Sequence, residues 1–195
     1  MYNKFCEHEV ILNGHFLLTS GKHSDTYISK DKVYCNPILF RDVVDDIINR
    51  IRYLKYDVIT GPAIAGAVLA APISVLTGKI FVYPEKIEKE LYPGKLETRM
   101  EFRRGYNHVI KNKRVLAIED IITTGGSLTK TVNSIIDCGG NIAGVISLWN
   151  RTNFKIPTCT NMTLIDKPVD SWLPDECPLC EDIKRNPLRD PKIFQ

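Results

Sequence analysis

The chain has 195 residues and a mass of 22.1 kDa, room for one domain with at most a small appendage, and enough to bury roughly 70% of the surface its unfolded form exposes. It is 44% apolar and 25% charged, with 12 Gly and 11 Pro, a composition that excludes collagen-like, coiled-coil and disordered chains. A net charge of +3 is too small to argue for nucleic-acid binding from the total alone.

Met1 to Val10 carries Lys4, Glu7, His8 and Glu9 and lacks a basic region followed by an apolar stretch, so a cytoplasmic protein is expected. Residues Leu39 to Ile51 place apolar side chains at Phe40, Val43, Val44, Ile47, Ile48 and Ile51, the spacing of a helix with one buried stripe. Asp57 to Thr60 reads as a short strand ending at Gly61-Pro62. The uncharged stretch Gly61 to Gly78 reaches the lower edge of a membrane-spanning length, but Pro62, Pro72 and its small residues make it a poor span. Its portion Ala63 to Leu76 is apolar all round and is predicted as a helix sandwiched inside the fold.

Lys79 to Tyr83 is the next strand candidate. Pro84 to Lys113 follows with eight Lys or Arg against five Glu. Leu96, Met100 and Phe102 keep a two-residue period there, so a strand pair projecting from the sheet is expected, preceded by a mobile loop at about 84–95. Arg114 to Glu119 is the clearest buried strand, with Val115, Leu116, Ala117 and Ile118 in succession. Leu128, Val132, Ile135 and Ile136 form a helical stripe closed by Gly139-Gly140, and Ile142 to Trp149 returns as a strand.

Strands alternating with helices make βαβ units, so the fold class is α/β with a mostly parallel sheet and right-handed crossovers. Ligands in such sheets sit beyond the carboxyl ends of the strands, which directs attention to the segments after Thr60, Tyr83, Glu119 and Trp149.

After Ile118 comes Glu119-Asp120-Ile121-Ile122-Thr123-Thr124-Gly125-Gly126-Ser127. Two adjacent carboxylates at the end of a buried strand repel one another and need donors or a cation. The segment that follows offers hydroxyls and backbone N–H groups at a helix start, where an anion is favoured. Together they describe a site for vicinal hydroxyls at one end and a monophosphate at the other, as in a ribose 5-phosphate. The plainer reading, a capped helix after a tight turn, leaves the paired acids unexplained.

Val115 to Ser127 resembles the signature for phosphoribosyl pyrophosphate (PRPP) of the type I phosphoribosyltransferases. Within them the chain is similar to the branch that acts on orotate. Gly14-His-Phe16, Ser20-Gly21-Lys22-His23-Ser24 and Tyr27 resemble its N-terminal hood. Gly61-Pro62-Ala63 resembles its pyrophosphate loop, Arg103-Arg104-Gly105-Tyr106 a segment before its PRPP strand, and Cys177-Pro-Leu-Cys180 a tail of some bacterial members.

The resemblance implies a single domain over 1–195. Its hood would cover about 1–36 with help from the C-terminal segment, its core about 37–151, and its flexible loop would reach into the neighbouring subunit of a homodimer. It implies that Glu119 and Asp120 hold the ribose hydroxyls, that Thr123, Thr124, Gly125, Gly126 and Ser127 wrap the 5-phosphate, that Ile121 and Ile122 belong to the PRPP site, and that Gly61, Pro62 and Ala63 face the pyrophosphate. Lys86, or after it Lys89, would be the loop cation, with Lys86 and Asp120 the catalytic pair. Thr123, Arg151 and His23 would hold orotate. Mg²⁺ would arrive on PRPP, with no protein side chain assigned to it.

The reaction implied gives orotidine 5′-monophosphate and pyrophosphate, in pyrimidine synthesis. The mobile segment lacks the Arg-Lys pair of many orotate enzymes, and Ala65 and His23 stand where lysine often does, so the site carries less positive charge. A transferase for another base, such as a purine, and a PRPP-binding regulator without turnover are the alternatives.

Six cysteines, Cys6, Cys35, Cys138, Cys159, Cys177 and Cys180, are too scattered for a secreted disulfide framework. Only Cys177 and Cys180 have metal-ligand spacing, and the sequence does not display the second ligand pair that a tetrahedral zinc would need.

Overall fold

The computed structural model describes residues 1–191 and, by contacts, divides into two units, 1–41 with 168–191 and 42–167. In chain order the first unit opens with α1 (Tyr2–Glu7), β1 (Ile11–Leu17), β2 (His23–Ile28) and α2 (Lys30–Tyr34). α3 (Pro37–Ile51) leads into the second unit, which holds β3 (Val58–Thr60), α4 (Ala65–Thr77), β4 (Ile80–Phe81), β5 (Glu85–Tyr92), β6 (Lys95–Glu101), α5 (Tyr106–Ile110), β7 (Arg114–Ile122), α6 (Gly126–Asp137), β8 (Asn141–Asn150) and β9 (Thr160–Asp166). A 3₁₀ turn at Pro178–Asp182 and β10 (Leu188–Arg189) return to the first unit.

The second unit is built on a five-stranded sheet in the order β4-β3-β7-β8-β9, every pair parallel. Its centre is β7, where Val115, Leu116, Ala117 and Ile118 are wholly buried; each of the larger side chains contributes about 1.5–3 kcal/mol by leaving water. Leu128, Val132 and Ile135 of α6 pack into the same core with Phe102, Ile110 and Val145. α3 begins where Asn36 Oδ1 accepts the N–H groups of Ile38 and Leu39, at 3.1 Å each, with Pro37 at the first helical position. Its buried stripe is Leu39, Val43, Val44, Ile47 and Ile51.

The first unit carries a three-stranded sheet, β10-β1-β2, in which β1 pairs antiparallel with β2 and parallel with β10. Phe5, Val10, Phe16, Ile28 and Val33 are its buried apolar side chains.

Three expectations change. α4 is not sandwiched: Leu69, Ala70 and Ile73 are buried, but Val75 and Leu76 are 79% and 62% exposed, as is Ile64 just before the helix at 79%, because among the described residues the sheet packs on one side of it. Ile136 likewise leaves the buried stripe of α6 at 54% exposure. The segment expected as a loop at about 84–95 is strand for most of its length. β5 and β6 form an antiparallel hairpin turning at Pro93-Gly94, in which Lys89 faces Glu97. The projecting strand pair thus begins at Glu85 rather than near Leu96; its first strand is mostly charged and so carries no apolar period.

Among the described residues no helix is long and apolar enough to cross a membrane.

The start of β7 is tied to the residue before β3. Arg114 donates to Asp57 through its backbone N–H at 3.0 Å, its Nε at 3.1 Å and its second guanidinium nitrogen at 2.9 Å. These hydrogen bonds from Arg114 hold the Asp57 carboxyl well below the usual carboxylate range. A group with a depressed folded-state pKa gives stability that is present above its ordinary value and lost on acidification. The urea-midpoint advantage of the native protein over Asp57→Asn is therefore expected at neutral pH and should shrink below about pH 4; an advantage unchanged from pH 7 to about pH 2 would contradict the assignment.

Candidate active site

Three loops meet at the carboxyl edge of the central sheet, following β3, β7 and β8, and each is locked to the next by backbone.

Glu119 and Asp120 follow the apolar run of β7, shortly before the strand ends at Ile122, and are themselves buried. Glu119 Oε1 accepts the N–H of Asp120 at 3.2 Å, and Asp120 Oδ1 accepts the N–H of Ile121 at 2.7 Å. Two buried carboxylates held by local amides form a dense patch of negative charge and hard oxygen donors.

The loop after β3 runs over this patch. A methyl on Gly66 would lie 2.7 Å from the Ile118 carbonyl oxygen and 3.2 Å from Glu119 Oε1, and one on Gly61 would lie 2.6 Å from the same carbonyl. Only glycine allows the loop to sit this close. Of the three residues expected to face pyrophosphate, Gly61 and Ala63 have N–H groups to offer; Pro62 has none and is buried. The Ala63–Ile64 peptide is cis.

After β7, Thr123, Thr124, Gly126 and Ser127 are exposed. Gly125 takes φ +74° as the residue before α6, a conformation open to glycine at little cost, and Thr124 Oγ1 accepts the N–H of Gly126 at 3.4 Å. A 12-residue helix therefore begins in a run of small, hydroxyl-bearing, accessible residues. Ile122 differs from expectation: its side chain is 4% exposed and belongs to the core, and its carbonyl accepts the Arg151 N–H at 2.9 Å.

The third loop contains residues whose importance the sequence did not reveal. Buried Asn150 donates to the Phe154 carbonyl at 3.0 Å and accepts from the N–H groups of Thr152 and Phe154 at 3.3 and 3.2 Å. Thr152 Oγ1 donates to the Thr123 carbonyl at 2.5 Å. The Phe154 ring closes on Gly125, where a methyl would meet it at 2.5 Å. Asn150, Thr152 and Phe154 thus brace the turn carrying Arg151 against the 123–127 loop. An Asn at the end of a strand was the one available signal.

Lys86 and Lys89 are exposed on the β5–β6 hairpin, which leaves the sheet after β4, at the same edge. Arg104 Nε donates to Glu85 Oε1 at its base, at 2.6 Å.

His23, expected at orotate, belongs to β2 of the first unit. Its ring is buried, with Nδ1 3.0 Å from His15 Nε2 and 3.2 Å from Cys180 Sγ. Burial and the neighbouring His15 lower its pKa.

The geometry has a counterpart in known proteins. Residues 29–173 match the family model described as "Phosphoribosyl transferase domain", and the chain belongs to the phosphoribosyltransferase family. A relative from Thermoanaerobacter sp. (strain X514), an orotate phosphoribosyltransferase, is 34% identical over 177 residues, covering 89% of this chain and 86% of its own. Among solved structures, an orotate phosphoribosyltransferase from Aeropyrum pernix superposes with a TM-score of 0.63 at 18% identity, covering 83% of this chain and 92% of its own. An adenine phosphoribosyltransferase from Trypanosoma brucei gives 0.64 at 22%, covering 84% and 78%. The shared architecture therefore extends across enzymes for different bases, while the sequence similarity points to the orotate branch.

The packing around Gly61 yields a test. Gly61→Ala drives a methyl into backbone that cannot swing aside, and should lower stability by about 1–3 kcal/mol, the usual range for overpacking. Gly126→Ala, whose methyl would meet only Thr124 Oγ1 at 3.5 Å, should stay within about 0.5 kcal/mol. Urea midpoints of the two variants decide it, and equal midpoints would refute the close approach.

Proposed function

We propose that the chain is an orotate phosphoribosyltransferase, transferring the phosphoribosyl group of PRPP to orotate and releasing pyrophosphate, as in pyrimidine biosynthesis. The observation that carries this reading is the convergence of the buried acid pair, the glycine-capped hydroxyl loop and the Arg151 turn at one sheet edge. The orotate phosphoribosyltransferase relatives add the choice of base.

In this reading Glu119 and Asp120 accept hydrogen bonds from the ribose 2′- and 3′-hydroxyls. The N–H groups and hydroxyls of Thr123 to Ser127 surround the 5′-phosphate at the start of α6, where the helix dipole favours an anion. N–H groups of Gly61 and Ala63 face the pyrophosphate. Arg151, with Thr123, holds the orotate carboxylate, a task for a planar and permanently charged donor.

Bond breaking at C1 of the ribose develops positive charge on the sugar and negative charge on the departing pyrophosphate. The nearby acid pair favours the first, and a hairpin cation, Lys86 before Lys89, the second. Closure of the hairpin would exclude water that otherwise hydrolyses PRPP. The hard oxygen donors at the end of β7 fit Mg²⁺ brought in with PRPP; bound there, the ion would neutralise pyrophosphate charge. The chain would work in the cytoplasm, where its substrates are made.

The exposed face of α4 supports a homodimer. Val68, Val75 and Leu76 of α4, with Ile64 just before it, are exposed apolar residues on one side of the helix, and a second copy would cover them. Dimerisation would also let the hairpin serve the partner's site. Light scattering after size exclusion should give about twice the chain mass, and Val75→Glu with Leu76→Glu should give about one; an unaltered mass would remove α4 from the interface.

Purified protein supplied with PRPP and Mg²⁺ should consume orotate and form orotidine 5′-monophosphate. Consumption of adenine or hypoxanthine instead would reassign the base, and PRPP binding without turnover of any base would make the chain a regulator. Arg151→Ala should weaken orotate binding by about 1.5–3 kcal/mol, the range for a charged hydrogen bond, with PRPP binding nearly intact. Equal loss of both would move Arg151 out of the orotate site.

A further inference from the structure

Within the first unit, four side chains capable of binding a soft metal point at one spot. They are His15 on β1, His23 on β2, Cys177 just before the 3₁₀ turn and Cys180 inside it, with ligand atoms all within 4.8 Å of one another. His15 Nε2 lies 3.0 Å from His23 Nδ1, 3.5 Å from Cys177 Sγ and 3.7 Å from Cys180 Sγ; His23 Nδ1 lies 3.2 Å from Cys180 Sγ. Tetrahedral zinc with ordinary bond lengths has N–N and N–S edges of about 3.3 and 3.6 Å. The cluster is already close to that shape.

The surroundings are arranged as they are around bound metals. His15 Nδ1 is 3.0 Å from the Asn186 carbonyl. The carbonyl can only accept, so Nδ1 carries the proton and Nε2 turns its lone pair toward the cluster, as metal-ligating histidines usually do. Cys180 N–H donates to the Cys177 carbonyl at 3.1 Å, the turn that brings both sulfurs to one side. The two flanks are fixed independently. His23 and Trp172 exchange N–H···O bonds of 2.8 and 2.9 Å, Ser24 Oγ donates to the Asp170 carbonyl at 2.6 Å, and β10 pairs with β1 at His15 and Phe16.

Without a cation, His15 Nε2 meets His23 Nδ1 and both sulfurs with a single acceptor lone pair, so it can serve only one of these three donors well at a time. Cys177 is 4% exposed, His15 1% and His23 6%, so water has little access to make up the deficit.

We propose that His15, His23, Cys177 and Cys180 form a closed, structural Cys₂His₂ zinc site that fastens the C-terminal segment to the β1–β2 hairpin. The donor set is soft to borderline and contains no carboxylate, which suits zinc rather than magnesium or calcium. With four protein ligands no coordination position is left for a substrate, so the ion holds structure and does no chemistry. Its binding would join residues far apart in the chain and add to folding stability directly. The site is separate from the PRPP site, so its failure would leave the transferase assignment standing.

Metal analysis of protein purified without chelators or affinity-column metals should find about one zinc per chain. Replacement by Co²⁺ should give the visible d–d bands of tetrahedral cobalt and a thiolate charge-transfer band in the near ultraviolet. Cys177→Ser with Cys180→Ser should abolish bound zinc, whereas Cys6→Ser with Cys35→Ser, exposed positions outside the cluster, should retain it. Removing zinc with a strong chelator should lower the Tm of the native protein, and adding Zn²⁺ back should restore it. A zinc content near zero with both thiols free, a Cys177–Cys180 disulfide in the purified protein, or zinc retained by the cluster double variant would each overturn the proposal. Should that variant fail to fold, the cobalt spectrum of the native chain decides: octahedral bands, or none, refute the site.

Discussion

Burying two adjacent carboxylates at the end of the central strand is the constraint around which the second unit is organised. Glu119 and Asp120 are held in β7 directly after its wholly buried apolar run, where an uncompensated charge costs several kcal/mol. The chain partly meets the cost by turning both carboxylates onto the N–H groups that immediately follow them. A ligand rich in hydroxyls supplies the donors for which such a pair is suited, and this links the packing of the sheet to its chemistry.

Backbone contacts set the rest of the site. Gly61 and Gly66 let the β3–α4 loop touch the carbonyl of Ile118, Gly125 admits the ring of Phe154, and Thr152 ties the Arg151 turn to the Thr123 carbonyl. Spacing between the loops is consequently set by close backbone approach at Gly61 and Gly66 and by two side chains, Thr152 and Phe154, seated on the 123–125 backbone. That is the kind of preorganisation a transferase needs when its catalysis consists mostly of positioning and charge. Exposed lysines on a two-stranded hairpin add adjustable charge to this fixed frame.

Much of the sheet could be read from the sequence because its strands are continuous apolar runs and its helices carry one stripe each. Val115 to Ile118, and Leu128 with Val132 and Ile135, announce both period and burial. Other elements carry too little signal. β9, Thr160–Asp166, has two buried residues, and β10 is a two-residue strand exposed at both positions. β5 alternates charges over most of its length, so it looks like a loop. The apolar character of α4 was legible, but the exposure of its Val75 and Leu76 was not, since an all-round apolar run does not say which of its sides the sheet covers. The acid pair, the glycine-capped turn and Arg151 were legible because they follow strand ends. The Asn150 bracing was not, nor was the pairing of two histidines with two cysteines more than 150 residues away, which only the return of the C-terminal segment beside β1 and β2 brings about.

Ribose 5-phosphate contains both groups the central strand and its loop are proposed to hold, and nothing else that the reaction uses. A crystal structure with this compound bound is therefore the most direct measurement. The account requires the 2′- and 3′-hydroxyls on the Glu119 and Asp120 carboxylates and the phosphate among the N–H groups of residues 124–127. A sugar phosphate lodged elsewhere, or acids turned away to pair with cations of the chain itself, would contradict it.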